Sequence, residues 1–200
     1  ALNEARPEAV AALHEAFVAA GARLLRTHTA GAHPLLLAPH ALEGRAEALN
    51  NSGSALARRA LGGAGFVMGT LGAPPRAGAV HEPDWQRGHA EQMIYLSDTG
   101  VDFFLLHHFD RLEDALAVTR QARRLSDAPV LAALRLDPAG RTAEGHDAAT
   151  AAAALADAGA GALGLSCGPG PAALPACGDA LRRAGLPVAV LAGLATPDGE

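Results

Sequence analysis

Two hundred residues, half of them hydrophobic, are enough for one domain with a real core, and an aromatic content of only 4% makes that core aliphatic and alanine-rich. A net charge of −5 spread along the chain leaves no basic stripe, which argues against nucleic acid as a partner. No apolar run approaches the ~20 residues of a membrane span, and the N-terminus lacks a basic-then-apolar leader, so a cytoplasmic protein is expected.

Hydrophobic periodicity predicts an alternation of helix and strand. The first helix starts at "RPEAV", where Pro7 suits the first turn, and stops at Gly21. Then "ARLLRTHT" (22–29) reads as a strand. A helical stretch around 41–61 leads to the strand "GFVMGTLG" (65–72). A helix over 84–99 ends at Gly100 before the strand 101–107. The helix 110–125 precedes "PVLAALRLD" (129–137), the helix 145–158 precedes "GALGLSC" (161–167), and the helix 171–184 precedes "PVAVLAG" (187–193).

The strands are short, continuously apolar and separated by helices, the pattern of parallel strands buried on both faces. About six βα-type units result. A doubly wound sheet could hold them, and a (β/α)8 barrel fits as well. Such a barrel needs about eight strands and typically ~250 residues, so the chain is short by about two strands. The strand edges of an incomplete barrel favour association with a partner or a further segment of a larger protein.

Chemistry in both architectures gathers at the carboxyl ends of strands. Those ends carry His28, His107, His108 and Cys167. Strand alternation puts Leu24, Arg26 and His28 on one face, Phe103, Leu105 and His107 on one face, and Leu163, Leu165 and Cys167 on one face. If those faces point inward, His28, His107 and Cys167 converge at one mouth. Of the adjacent pair His107 and His108, alternation lets one face the mouth while the other packs against a helix. "GPGP" (168–171) opens a helix and reads as a structural turn or an anion site. The histidines at 14, 33, 40, 81, 89 and 146 show no metal-ligand spacing and read as surface. Cys177 lies mid-helix as packing, and both cysteines are expected as reduced thiols. All 16 basic residues are arginine, so this sequence contains neither a phosphate-loop lysine nor a Schiff-base lysine.

Several stretches resemble one family in order and spacing. "PEAVAALHEAFVAAGARLLRTHT" is similar to a helix, an alanine-glycine break and a strand closing in threonine-asparagine-threonine. "EALNNSGSALARRA" resembles an asparagine-bearing helix, "FVMGTLGAP" a glycine-proline strand, and "HAEQMIYLSDTGVDFFLLHHFDRLEDALA" a glutamine-bearing helix followed by a strand that closes in glutamate-threonine. The most specific stretch, "GRTAEGHDAATAAAALADAGAGALGLSCGPGP", is similar to a glycine-asparagine-cysteine-(x)2-glycine-proline signature with Ser166 in place of asparagine. From about residue 6 to 198 the sequence thus resembles the homocysteine S-methyltransferase family, the homocysteine-binding barrel found in cobalamin-dependent methionine synthase and betaine–homocysteine methyltransferase.

The resemblance implies an α/β fold of the TIM (β/α)8 type, as one incomplete barrel domain over 1–200 whose first and last strands are missing from the chain. It implies a zinc ion held by three cysteine thiolates, which binds the homocysteine sulfur as a thiolate for attack on a methyl donor, giving methionine. Cys167 falls on the first zinc cysteine; the other two belong to an adjacent pair after the last strand, beyond residue 200. His28, His107 and Gly168 fall on substrate-binding positions. His107 replaces the glutamate that would hold the homocysteine ammonium, and His28 and Ser166 replace asparagines. Within the family the donor is methylated folate through cobalamin, betaine, S-methylmethionine or S-adenosylmethionine. Two alternatives stay open: a repurposed barrel with an altered ligand site, and a rebuilt zinc site of His28, His107 and Cys167.

Overall fold

The computed structural model describes residues 2–74, 82–166 and 172–191. Six strands, β1 (Leu24–Arg26), β2 (Phe66–Gly72), β3 (Phe103–Phe109), β4 (Val130–Leu134), β5 (Ala162–Ser166) and β6 (Val188–Leu191), alternate with six principal helices. The helices are α1 (Pro7–Ala19), α2 (Ala46–Leu61), α3 (Glu82–Asp98), α4 (Leu112–Leu125), α5 (Ala148–Asp157) and α6 (Leu174–Arg182). Every pair of neighbouring strands is parallel, and the spatial order is β1-β2-β3-β4-β5-β6. A doubly wound sheet reverses its order at a switch point. This one never reverses, so the strands form a curled half-barrel, the wall of a partial TIM-type barrel.

The helix boundaries follow local chemistry. Pro7 opens α1, where its missing N–H costs nothing. Gly62, at φ +56°, closes α2 in the left-handed conformation that glycine adopts readily. The Asp147 carboxylate caps α5 by accepting from the Thr150 backbone N–H at 2.8 Å. The free amide of Leu112 at the start of α4 donates to Glu144 at 3.0 Å, so the segment before α5 caps the neighbouring helix.

Both faces of the sheet are covered, as continuous apolar strands require. The outer face is the principal core. Phe104, Leu106, Phe109, Leu134, Leu163 and Leu165 meet Met93, Leu96, Val118, Leu155 and Leu181 from the helices. The lumen face is a smaller cluster of Met68, Leu105, Leu131 and Ala133. Cys177 is buried in α6 among the outer-core residues, in the packing role expected of it.

The third strand departs from regular alternation. Leu106 pairs with Ala132 and Phe109 with Leu134, so two residues of β3 stand opposite one of β4. His108 takes up the excess with φ +65°, a left-handed value uncommon outside glycine. Leu105 faces the lumen, but Phe109, four residues on, faces the helices.

Candidate functional site

The carboxyl ends of β1, β2 and β3 form the mouth of the half-barrel. Three threonines lock β1 to β2 there. The Thr70 backbone N–H donates to Thr27 Oγ1 at 2.9 Å, and Thr29 Oγ1 donates to the Thr70 carbonyl at 2.8 Å. The Thr29 hydroxyl proton is thereby placed, so the 2.6 Å contact between the two hydroxyls has Thr27 as donor and Thr29 as acceptor. All four groups are satisfied in one closed ring. Thr70 Oγ1 lies outside it: the residue is 2% exposed and its hydroxyl has no partner.

Buried amides hold the segment after β1. Asn3 Nδ2 donates to the carbonyls of His28 and Leu49, Asn50 Nδ2 to those of Ala32 and Ala46, and Gln92 Nε2 to the Thr29 carbonyl and Asn50 Oδ1. The asparagine- and glutamine-bearing helices of the sequence resemblance thus supply the supports of the mouth.

A second support is aromatic. His33 stacks on Trp85 with ring centroids 3.9 Å apart, and His89 stands edge-on to both. His89 Nε2 donates to the Gly72 carbonyl at the end of β2, and His33 Nε2 donates to the Trp85 carbonyl. A Cβ on Gly88 would lie 2.2 Å from the His33 ring, so only glycine fits there. Burial pushes the pKa of His89 down to about 3 and that of His33 to about 4, so both are neutral. His14, His33 and His89 are therefore buried framework residues, contrary to the surface positions expected of them. Single histidines carry no periodic signal to separate the two cases.

The mouth itself is built on Arg26 and His107. Arg26 Nη1 donates to His107 Nε2 at 2.9 Å. A guanidinium only donates, so Nε2 is the acceptor and the imidazole is neutral with its proton on Nδ1. Burial first, then His108 and Arg26, lower its pKa to about 4. The expectation that His107 and His108 point to opposite sides is overturned: their rings stack at 3.9 Å, because left-handed His108 breaks the alternation. His108 is exposed. Burial, Arg135 and Arg26 lower its pKa too. Ser166 steadies the bulge by accepting from the His108 N–H at 3.2 Å and donating to the Ala133 carbonyl at 3.3 Å.

A cleft of about 200 Å³ lies at this point, lined by Arg26, Thr27, His28, Thr29, Thr70 and His107. His28 and His107 are thus brought to one cleft, although the His28 side chain is exposed. Of the three strand faces considered for convergence, that of Leu163 and Leu165 turns to the helices, not the lumen; Gly164 and Ser166 occupy the alternate face. Cys167 and Gly168 lie outside the described residues, as does His81. Among the described residues no group of three His, Cys, Asp or Glu side chains is placed to hold a metal ion. The His107 Nε2 lone pair is already occupied by Arg26.

A parallel half-barrel with its polar groups at the carboxyl ends of the strands is the wall of a partial TIM-type barrel. The residue pattern of the homocysteine S-methyltransferase family matches residues 1–199, and the chain belongs to that family. Among solved structures it is similar to the homocysteine methyltransferase MmuM from Escherichia coli in its metallated form, at TM-score 0.76 and 19% identity, covering 94% of this chain and 81% of that one. The apo form of the same protein aligns at TM-score 0.67 and 18% identity over the same shares. A phosphonomutase described as putative, from Burkholderia cenocepacia, aligns at TM-score 0.58 and 24% identity, covering 90% of this chain and 73% of that one. These likenesses concern the fold. No curated protein matches the sequence. No helix among the described residues is long and apolar enough to cross a membrane.

Proposed function

We propose that this chain methylates the sulfur of homocysteine to give methionine. Membership of the homocysteine S-methyltransferase family over residues 1–199 is the observation that carries this reading. The threonine ring, the buried amides and the cleft at the β1–β3 mouth support it, because they hold a small polar site where such barrels do their chemistry.

In this reading a zinc ion would supply the thiolate at neutral pH. The described residues alone do not fit that ion: they offer no three-ligand group, and His107 is engaged by Arg26. Cys167 is the proposed metal ligand, and His28, His107 and Gly168 are the proposed substrate contacts. The part of the described chain is to bind and orient the substrate.

The test is to incubate the purified chain with homocysteine and, in turn, each of the four donor types used in the family, while measuring bound zinc. Methionine formed from one donor, with stoichiometric zinc, is the expected result. No methionine from any donor would overturn the proposal and leave a family barrel with an altered ligand site. The Arg26–His107 contact favours that second reading, since it puts a cation and a neutral imidazole at the mouth.

A further inference from the structure

One guanidinium stands in the cleft at the β1–β3 mouth, that of Arg26, against the stacked imidazoles of His107 and His108. Among the described residues Arg26 is not paired with a carboxylate; its polar side-chain contact is His107. The His107 imidazole accepts that bond at Nε2 and is therefore neutral, so it adds no charge of either sign. Arg26 carries five N–H donors in a planar fork, and one of them is directed at His107 Nε2. The others are available to a planar two-oxygen acceptor.

An independent observation points into the same cleft. Thr70 is 2% exposed, its Oγ1 has no partner, and it lines the cleft together with Arg26 and His107. A hydroxyl sealed from water without an acceptor is costly, and a ligand oxygen would satisfy it. Register places it correctly: Thr70 pairs with Leu105, a lumen-facing residue, and Gly72 pairs with His107. Gly72 cannot be larger, because a Cβ there would lie 2.4 Å from the Ala30 carbonyl oxygen. The cleft, about 200 Å³, suits a small acid.

We propose that the mouth is a carboxylate subsite, in which Arg26 holds the carboxylate of a small thiol acid and Thr70 donates its hydroxyl to it, with no carboxylate among the described residues lining the cleft to hold an ammonium group. This rests on reading the site as a thiol-substrate site. The selection it predicts is by charge: the acid end of the ligand is recognised, and an α-amino group is dispensable.

The experiment is calorimetric titration of the purified chain with homocysteine, with its deaminated analogue mercaptobutanoate, with its decarboxylated analogue mercaptopropylamine, and with butyrate, which lacks the sulfur. Mercaptobutanoate should bind at least as tightly as homocysteine, and mercaptopropylamine roughly tenfold or more weakly. Arg26→Gln should weaken both acids and butyrate by a similar factor while leaving the amine unchanged, and Thr70→Val should weaken the acids severalfold. The unfolding temperature of each variant shows whether it is folded. His107→Glu, which sets an internal carboxylate beside Arg26, should abolish the preference for acids. Equal binding of acid and amine, acid binding indifferent to Arg26, or no acid binding would overturn the inference. Its fate is separable from that of the methyl-transfer reading. Acid bound through Arg26 without methionine formation sinks only the latter, and methionine formation with acid binding indifferent to Arg26 sinks only the former.

Discussion

The two faces of the half-barrel sheet have the same strands and opposite duties. The helix-facing side is dry and large: Phe104, Leu106 and Phe109 have no exposed surface, and Leu163 and Leu165 have 1%. The lumen side carries Leu105 and Met68 but also Arg26, Thr70, His107 and Ser166, and its apolar residues are few and small. Stability resides where side chains are numerous and interchangeable, and recognition where single polar atoms have single partners. Substitutions on the two faces should accordingly fail in different ways.

The sharpest break of that contrast is Phe104→Ala. It should cost about 3–5 kcal/mol of stability, lowering the melting temperature by on the order of 10 °C, with ligand affinity retained by the folded fraction. A loss below ~1 kcal/mol in urea unfolding would show that the outer face is not the principal core.

Acid should come next. His33 and His89 are neutral when folded, with pKa values lowered from 6.5 to about 4 and about 3. The unfolded chain takes up their protons first as pH falls. Stability is therefore complete above about pH 6.5 and declines from there towards pH 4 and 3, by about 1.4 kcal/mol per pH unit for each proton bound only by the unfolded chain. His89→Gln should flatten the decline, read as melting temperature against pH. A profile unchanged by that substitution would contradict the buried neutral state.

Smaller effects separate the supports of the mouth from its surroundings. Gly88→Ala drives a methyl into the His33 ring and should cost about 1–3 kcal/mol by chemical denaturation. Thr29→Val opens the threonine ring and leaves the Thr27 hydroxyl proton without an acceptor and the Thr70 carbonyl without its hydroxyl donor, a loss of about 1–3 kcal/mol. Arg58→Ala removes the ion pair with Asp102, both side chains being about a third exposed. It should change stability by about 0.2–1 kcal/mol, the smallest effect of the series.

Much of the fold was legible before any coordinates. Five of the six expected strands contain an observed one, the third, expected over 101–107, is observed over Phe103–Phe109, and five of the six helices lie within two or three residues of their expected limits. Glycines and prolines at the breaks punctuate a chain whose apolar runs are short and strongly marked. Strand order was not legible from periodicity, since a doubly wound sheet and a barrel wall share the same βα alternation; the family resemblance pointed to the barrel wall, and the observed pairing has that order. The site was legible in part. His28 and His107 meet at one cleft as alternation suggests, but the Leu163 and Leu165 side of β5 faces the helices. Arg26, Thr70, Asn3 and the His33–Trp85–His89 cluster went unnoticed as site and framework residues, since none belongs to a spaced motif. The one available signal was Arg26 itself, an unpaired charge inside an apolar strand.

The sequence by itself determined the number, kind and order of the elements, because periodicity and turn chemistry act over a few residues. It also determined the family, because short motifs recur in a set order along the whole chain. Only the tertiary structure decided which side of each strand is the lumen. A single left-handed residue, His108, resets alternation in β3, and nothing in the identity of a histidine announces that conformation. The tertiary structure likewise decided that Arg26 meets a histidine 81 positions away, on a strand two removed in the sheet, and left the Thr70 hydroxyl waiting for an acceptor. Such contacts depend on how the sheet curls, which is a property of the whole wall and of no segment within it.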